Sequence, residues 1–276
     1  MSVSSSTSPD SSGPKTRVVL VTGAAKRIGR GIALGFAARG WDVAVHFGGS
    51  EADAQEVVQS IRALGRKSIA LGADLGVEDE VAKLVPACME ALGGLHCVVN
   101  NASRFVEDTA RDFGYPRLLE MMAVNVGAPL ALTRALHEAT PDAAIHDESL
   151  RTCVINVLDQ KLYNMNPDYL SYTLSKAALD NATIALAQAL APKLRVVGLA
   201  PGLTLPSAGM TDAEFEAAHR VTPLGRASRV EDVAAAACYL ADAPGITGTT
   251  LVVDGGQHLV PSPRDIMFLM QNRTAG

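Results

Sequence analysis

The chain has 276 residues and a formal net charge of -5, with no basic block or aromatic-basic stripe, which excludes the electrostatic footprint of a nucleic-acid binder. Apolar residues make up 48% of it and aromatics only 4%, so the core is expected to consist of Ala, Val, Leu and Ile, as helices packed on a parallel sheet require. No apolar run approaches the roughly 18 residues that cross a bilayer, and the expectation is a soluble protein with no membrane partner.

The cysteines Cys88, Cys97, Cys153 and Cys238 are far apart in sequence and make neither a C-x-x-C nor a Cys-His spacing. Neither a zinc site nor a disulfide framework is expected, and a reducing cytoplasm suits them best. Residues 1–16, MSVSSSTSPDSSGPKT, lack a basic start followed by an apolar stretch, so they read as a disordered Ser-rich tail and not as a secretory signal. One domain over residues 17–260 is expected to follow, then an extension at 261–276.

Taken in order, Arg17 to Thr22 is a β-branched run that gives way at once to GAAKRIGRGIALGFAARG, which has helical spacing and a glycine stop at Gly40. A strand turning through glycine into a helix makes an anion site, because the first helical N–H groups and the helix dipole face the turn. Gly23 and Gly29 supply the tight turn and the close approach that a pyrophosphate needs.

The alternation continues with strands near 42–46, 67–71, 95–99, 151–157, 194–199 and 249–253. Helical patterns lie between them near 51–64, 77–92, 116–139, 169–191 and 230–241. This pattern predicts an α/β fold, a single doubly wound Rossmann-type domain with a seven-stranded parallel sheet. In such sheets the ligand crevice lies beyond the carboxyl ends of the strands, where Gly23, His46, Asp74, Asn100, Asp159 and Pro201 all fall.

On the helix near 169–191, Tyr172 and Lys176 are four residues apart and share one face. A cation beside a phenol favours the phenolate, so Lys176 is expected to bring Tyr172 closer to proton transfer near neutral pH. Alone, such a pair is also an ordinary solvated helix face.

Several motifs then occur in one order: T-G-x-x-x-R-I-G at Thr22–Gly29, D-L at Asp74–Leu75, N-N-A-S at Asn100–Ser103, Asn125, Y-x-x-x-K at Tyr172–Lys176, P-G at Pro201–Gly202 and D-G-G at Asp254–Gly256. Over about residues 17–258 the chain resembles the short-chain dehydrogenase/reductase family. The resemblance implies that Gly23, Arg27, Ile28 and Gly29 hold a dinucleotide pyrophosphate, that Asp74, Leu75, Asn101 and Ala102 line the adenosine side, and that Ser103 contacts a cofactor phosphate. It also implies that Pro201 and Gly202 flank the cofactor, that Tyr172 donates a proton, and that Lys176 binds the nicotinamide ribose. Asn125 is expected to hold a water in the relay, and a homotetramer is implied.

Arg27 departs from the family pattern, which has a glycine there. The end of the second strand, with His46, Phe47 and Ser50, lacks the carboxylate that would bind both ribose hydroxyls of NAD. With Lys26 and Arg27 nearby, NADPH is the expected cofactor. Histidines other than His46 have no ligand spacing, and no metal is expected.

Asp159, thirteen residues before the tyrosine, stands where most of the family carries Ser or Thr. An ionised aspartate only accepts hydrogen bonds and opposes the charge that develops on a ketone oxygen. It suits a substrate that offers N–H groups or a nitrogen to be protonated, although Asp is also a common turn residue after a strand. T-G-A-A-K-R-I-G-R, H-F-G-G-S, N-N-A-S-R-F, V-L-D and A-P-G-L-T resemble the pteridine reductases and dihydromonapterin reductases, in which Asp replaces Ser. That resemblance implies an NADPH-dependent reduction of a dihydropterin, dihydromonapterin or dihydrofolate, with Asp159 and Tyr172 as the relay. Ser103, Phe105 and Leu203 would then contact substrate; Phe105 could equally be a core plug.

Leu203 to Arg220 reads as a lid, and the apolar IMFLM at 266–270 reads as a segment that packs on a neighbouring subunit. The alternatives are a reductase of the same fold acting on an ordinary carbonyl and a non-catalytic dinucleotide-binding regulator.

Overall fold

The computed structural model describes residues 16–206, 210–226 and 228–268. The strands are β1 (Val18–Val21), β2 (Asp42–Phe47), β3 (Ser68–Gly72), β4 (Cys97–Asn100), β5 (Thr152–Val157), β6 (Leu194–Pro201) and β7 (Thr250–Val253). The helices are α1 (Arg27–Ala38), α2 (Glu51–Ala63), α3 (Glu78–Leu92), α4 (Tyr115–Met122), α5 (Ala128–Ala139), α6 (Leu170–Leu190), α7 (Asp212–His219) and α8 (Val230–Asp242).

Alternation within each strand sorts its side chains between two cores. Val19 and Val21 of β1 join Val43, Val45, Val99, Ile155 and Val197 under α1, α2 and α8. Val18 and Leu20 join Ala44, Val98, Val154 and Val196 under α3, α5 and α6. A strand covered on both faces has no polar side, which is why β1, β4 and β5 are buried along their whole length.

All neighbouring strands are parallel, and the seven-stranded order is β3-β2-β1-β4-β5-β6-β7. The direction of winding reverses between β1 and β4, which opens a crevice at their carboxyl ends. The single doubly wound domain expected from the alternation is therefore correct.

The helix expected over 116–139 is interrupted. α4 ends at Met122, a π-helical turn spans Ala123–Gly127, and α5 begins at Ala128. Such turns insert one residue into a helix and cluster at functional sites. Cys97 and Cys153, distant in sequence, are register partners on β4 and β5, and the four cysteines are free and buried. No helix among the described residues is long and apolar enough to cross a membrane.

Candidate active site

Between β1 and α1 the chain turns through Gly23 at φ 62, a left-handed conformation that glycine adopts without penalty. Its N–H donates to His46 Nδ1 at 3.0 Å, while His46 Nε2 lies 3.1 Å from the Ala73 carbonyl. Nδ1 must therefore be bare, so Nε2 carries the hydrogen and donates to Ala73. Burial holds the His46 pKa below its ordinary value, which keeps this neutral tautomer. Asn101 works from the other side, donating from Nδ2 to the carbonyls of Thr22 (2.9 Å) and Gly23 (3.3 Å). A β-carbon on Gly29 would run into the Gly23 carbonyl and this amide.

These bonds bear on two expectations. His46 and Asn101 were expected to contact the cofactor, but both ring nitrogens of His46 and the amide nitrogen of Asn101 are committed to backbone. They shape the turn from behind. His46 still forms part of the wall of a groove of about 600 Å³ that Gly23, Gly48, Gly49, Asp74, Leu75, Ala102 and Ser103 also line. Phe47 instead packs its ring over Gly72, and Ser50 stands at the N-terminal boundary of α2 with no side-chain capping bond; neither is in that wall. Gly48 and Gly49 were missed in favour of their neighbours, although two glycines at a strand end are themselves a signal of close approach.

The two cations of the turn separate. Lys26 pairs with Asp53 in the first turn of α2 at 2.9 Å, which keeps it beside the end of β2. Arg27 points away from that end. It lines a second pocket with Ile28, and its Nη2 donates to the Pro206 carbonyl at 3.0 Å. Arg27 holds φ 52, so the backbone keeps the left-handed shape of the glycine it replaces, at a cost of about 1–2 kcal/mol.

The second pocket has a volume of about 580 Å³ and is lined by Arg27, Phe105, Asp159, Gly202 and Leu203 among others. Asp159 is on its wall, and from behind it the buried Tyr172 Oη donates to Asp159 Oδ2 at 2.7 Å. The other carboxylate oxygen accepts the Lys161 N–H at 2.8 Å, at the start of a short 3-10 turn. Lys176, one turn along α6, donates to the Val157 carbonyl at 2.7 Å and lies 5.8 Å from the Tyr172 ring centroid. The strand end and the helix face thus bring Asp159, Tyr172 and Lys176 together.

The electrostatics differ from the simple expectation. Burial and the adjacent Asp159 carboxylate push the Tyr172 phenol well above its usual pKa. Burial raises Asp159 despite its hydrogen bonds, and burial lowers Lys176 to about 8. Lys176 does not bring the phenol toward neutrality here, because desolvation and a nearby negative charge both favour the neutral phenol.

Asn125 sits in the π turn with a saturated side chain. Oδ1 accepts from Ser103 Oγ (3.2 Å) and Arg104 N (2.8 Å), and Nδ2 donates to the Arg104 carbonyl (3.0 Å) and Ser175 Oγ (2.9 Å). These four bonds use its whole capacity, so a relay water cannot be held by the side chain.

Phe105 is not a core plug. It is 47% exposed, stacks on Tyr169 at 4.2 Å and meets Tyr172 edge-on at 4.6 Å. Ser103 lines the first groove and not the substrate-side pocket. Gly202 closes against Asp254 and Gln257, where a β-carbon would not fit, while Pro201 is buried at the end of β6. Of the segment expected as a lid, Leu203, Thr204, Leu205 and Ala218 line the pocket, as do Val221 and Thr222 just beyond it; Gly209 lies outside the described residues. Residues 266–268 contact their own chain: Met267 accepts from Tyr169 Oη and Phe268 stacks on that ring, while Leu269 and Met270 lie outside the described residues. Lys161, Arg264 and Asp265 also line the pocket and had no signature in the sequence.

A family model described as enoyl-(acyl carrier protein) reductase matches residues 23–258. An uncharacterised oxidoreductase of Mycobacterium tuberculosis is 36% identical over 247 residues, 87% of this chain and 91% of that protein. The 3-oxoacyl-[acyl-carrier-protein] reductase FabG of Staphylococcus aureus is 30% identical over 251 residues, covering 88% of this chain and 99% of its own. The crystal structure of FolM alternative dihydrofolate reductase 1 from Brucella canis, complexed with NADP, superposes with a TM-score of 0.84 at 36% identity, covering 91% of this chain and 98% of that one. With its glycine turn, its Tyr-Lys helix face and this extent of match, the chain belongs to the short-chain dehydrogenase/reductase family.

Proposed function

We propose that this protein is an NADPH-dependent reductase that transfers a hydride to a pteridine-type ring, a dihydropterin, dihydromonapterin or dihydrofolate, through an Asp159–Tyr172–Lys176 relay. The observation that carries the reading is the 2.7 Å bond from the Tyr172 phenol to the Asp159 carboxylate on the pocket wall. The NADP-bound FolM structure supports it.

The residues present fit the cofactor. Gly23 and Gly29 let the turn close against Ala102, Asn101 and its own backbone, which sets the start of α1 where a pyrophosphate would sit. Nothing lies within 4 Å of a β-carbon built on Gly48 or Gly49, and the end of β2 through Ser50 carries no carboxylate to repel a 2′-phosphate. Lys26, beside the end of β2, would exchange Asp53 for that phosphate, and the two remaining hydrogens of Lys176 would reach the ribose.

When bound, NADPH supplies the hydride. The chain supplies the proton and the geometry. Burial raises Asp159 toward a protonated state, in which it can donate to a ring nitrogen. Tyr172, kept neutral by the same burial, stands one hydrogen bond behind to replace that proton. Lys176 holds a positive charge near the phenol, which stabilises negative charge arising there. Phe105 offers a ring face to a flat substrate.

Spectrophotometric assay of NADPH oxidation with dihydrobiopterin, dihydromonapterin, dihydrofolate and acetoacetyl substrates tests the proposal. Turnover of a pteridine above the acetoacetyl substrates supports it; turnover of the acetoacetyl substrates alone overturns it in favour of the ordinary carbonyl reductase that the FabG likeness suggests. A cytoplasmic location and a homotetramer belong to the same proposal.

A further inference from the structure

Lys161 follows Asp159 by two positions, and only 3% of its surface is exposed. An ammonium is costly to take out of water, and burial lowers its pKa. Its surroundings repay the cost in part. Nζ donates to the Asp168 carbonyl at 2.5 Å, lies 3.6 Å from Asp265 Oδ2, and sits 5.3 Å from the Tyr169 ring centroid. These partners come from two places in the chain, the segment that leads into α6 and the C-terminal segment after Val260.

The same two places are tied again. Arg264 Nε donates to both Asp168 carboxylate oxygens at 2.9 Å, and the Asp265 N–H donates to Oδ2 at 2.7 Å. Tyr169, held at φ 55, stacks with Phe105 at 4.2 Å and with Phe268 at 6.0 Å. The C-terminal segment thereby becomes the outer wall of the substrate-side pocket, to which Pro261, Ser262, Arg264, Asp265 and Ile266 contribute.

We propose that Lys161 is a positioning residue that latches residues 261–268 over the pocket, so that the wall which selects the substrate is set by the Lys161–Asp265 contact within one chain. Through its own N–H on Asp159, the latch is also joined to the relay. A flat substrate that enters under Phe105 is then held between the relay and this wall, and loss of the latch weakens substrate binding more than it slows chemistry.

The proposal rests on the reductase reading only for the choice of substrate, so the test has two arms. Hydrogen exchange of the full chain, read without substrate, should show residues 261–268 exchanging about tenfold faster in Lys161→Met and Asp265→Asn than in wild type, with β4 and β5 unchanged. In turnover with a substrate that the wild type reduces, each variant should raise KM by about tenfold and change kcat by less than about threefold. The double variant should be no worse than the poorer single, and Lys161→Arg should restore KM to within about threefold. Unchanged exchange at 261–268, or a double variant equal to the product of the singles, overturns the latch. If Lys161→Met does not fold, Asp265→Asn, at a partly exposed position, decides alone. Absence of pteridine turnover by wild type would refute the function proposed above, and the exchange arm would still judge the latch.

Discussion

The Tyr172 phenol donates to the Asp159 carboxylate at 2.7 Å, and the donor and acceptor lie thirteen residues apart, on the helix and the strand end that flank the pocket. An aspartate there replaces a hydroxyl that could donate to a ketone. Burial raises both groups, so the pair keeps a proton at the pocket in place of a bare phenolate.

Tyr172→Phe removes the donor and keeps the ring against Phe105. Turnover should fall by about 10²–10⁴-fold, while the NADPH dissociation constant, measured by fluorescence titration, stays within about threefold. Retained turnover would mean that the proton comes from elsewhere.

Lys176 has a pKa of about 8, brought down by burial. Its charge is present below that value and lost above it, so kcat/KM should decline as pH rises through about 8. Lys176→Arg, whose guanidinium stays charged, should move that decline to higher pH in the same profile.

His46 makes the glycine turn sensitive to acid. Its folded pKa lies below the ordinary 6.5, so the unfolded chain takes up the proton first as pH falls. The stabilisation is complete above pH 6.5 and disappears as pH drops through the folded value. In His46→Asn, Oδ1 can accept the Gly23 N–H without titrating. The Tm difference between wild type and His46→Asn should therefore shift in favour of the variant on going from pH 7.5 to pH 5 (about 2 °C or more); a constant difference would rule the mechanism out.

Arg27 carries a left-handed backbone at φ 52. Arg27→Gly relieves about 1 kcal/mol of strain and removes a cation from the pocket. Calorimetry should show a Tm no lower than wild type, and substrate KM should rise by about tenfold. A Tm several degrees lower would show that the bond to Pro206 outweighs the strain.

Much of this was legible from spacing. Strand alternation, the glycine turn at Gly23 and the i,i+4 pair Tyr172–Lys176 are local patterns, and Asp159 was marked by its distance from Tyr172. What stayed hidden depends on contacts across the sheet. His46 resembled a cofactor ligand because its bonds to Gly23 and Ala73 join segments 23 and 27 residues away. Lys161 has no motif, since its partners at Asp168 and Asp265 meet it only in the fold. The π turn at Asn125 was hinted at only by Gly127 and Pro129 inside a helical run. The rise in the Tyr172 pKa follows from burial, which a helix face does not encode.

Whether Asp159 sets the substrate class is read from the ratio of kcat/KM for dihydrobiopterin to that for an acetoacetyl substrate, measured with NADPH in wild type and in Asp159→Ser. The serine restores a hydroxyl donor suited to a ketone and removes the carboxyl that serves a ring nitrogen. The ratio should fall by about 10²-fold or more in the variant; a ratio that is the same in both proteins would contradict the account.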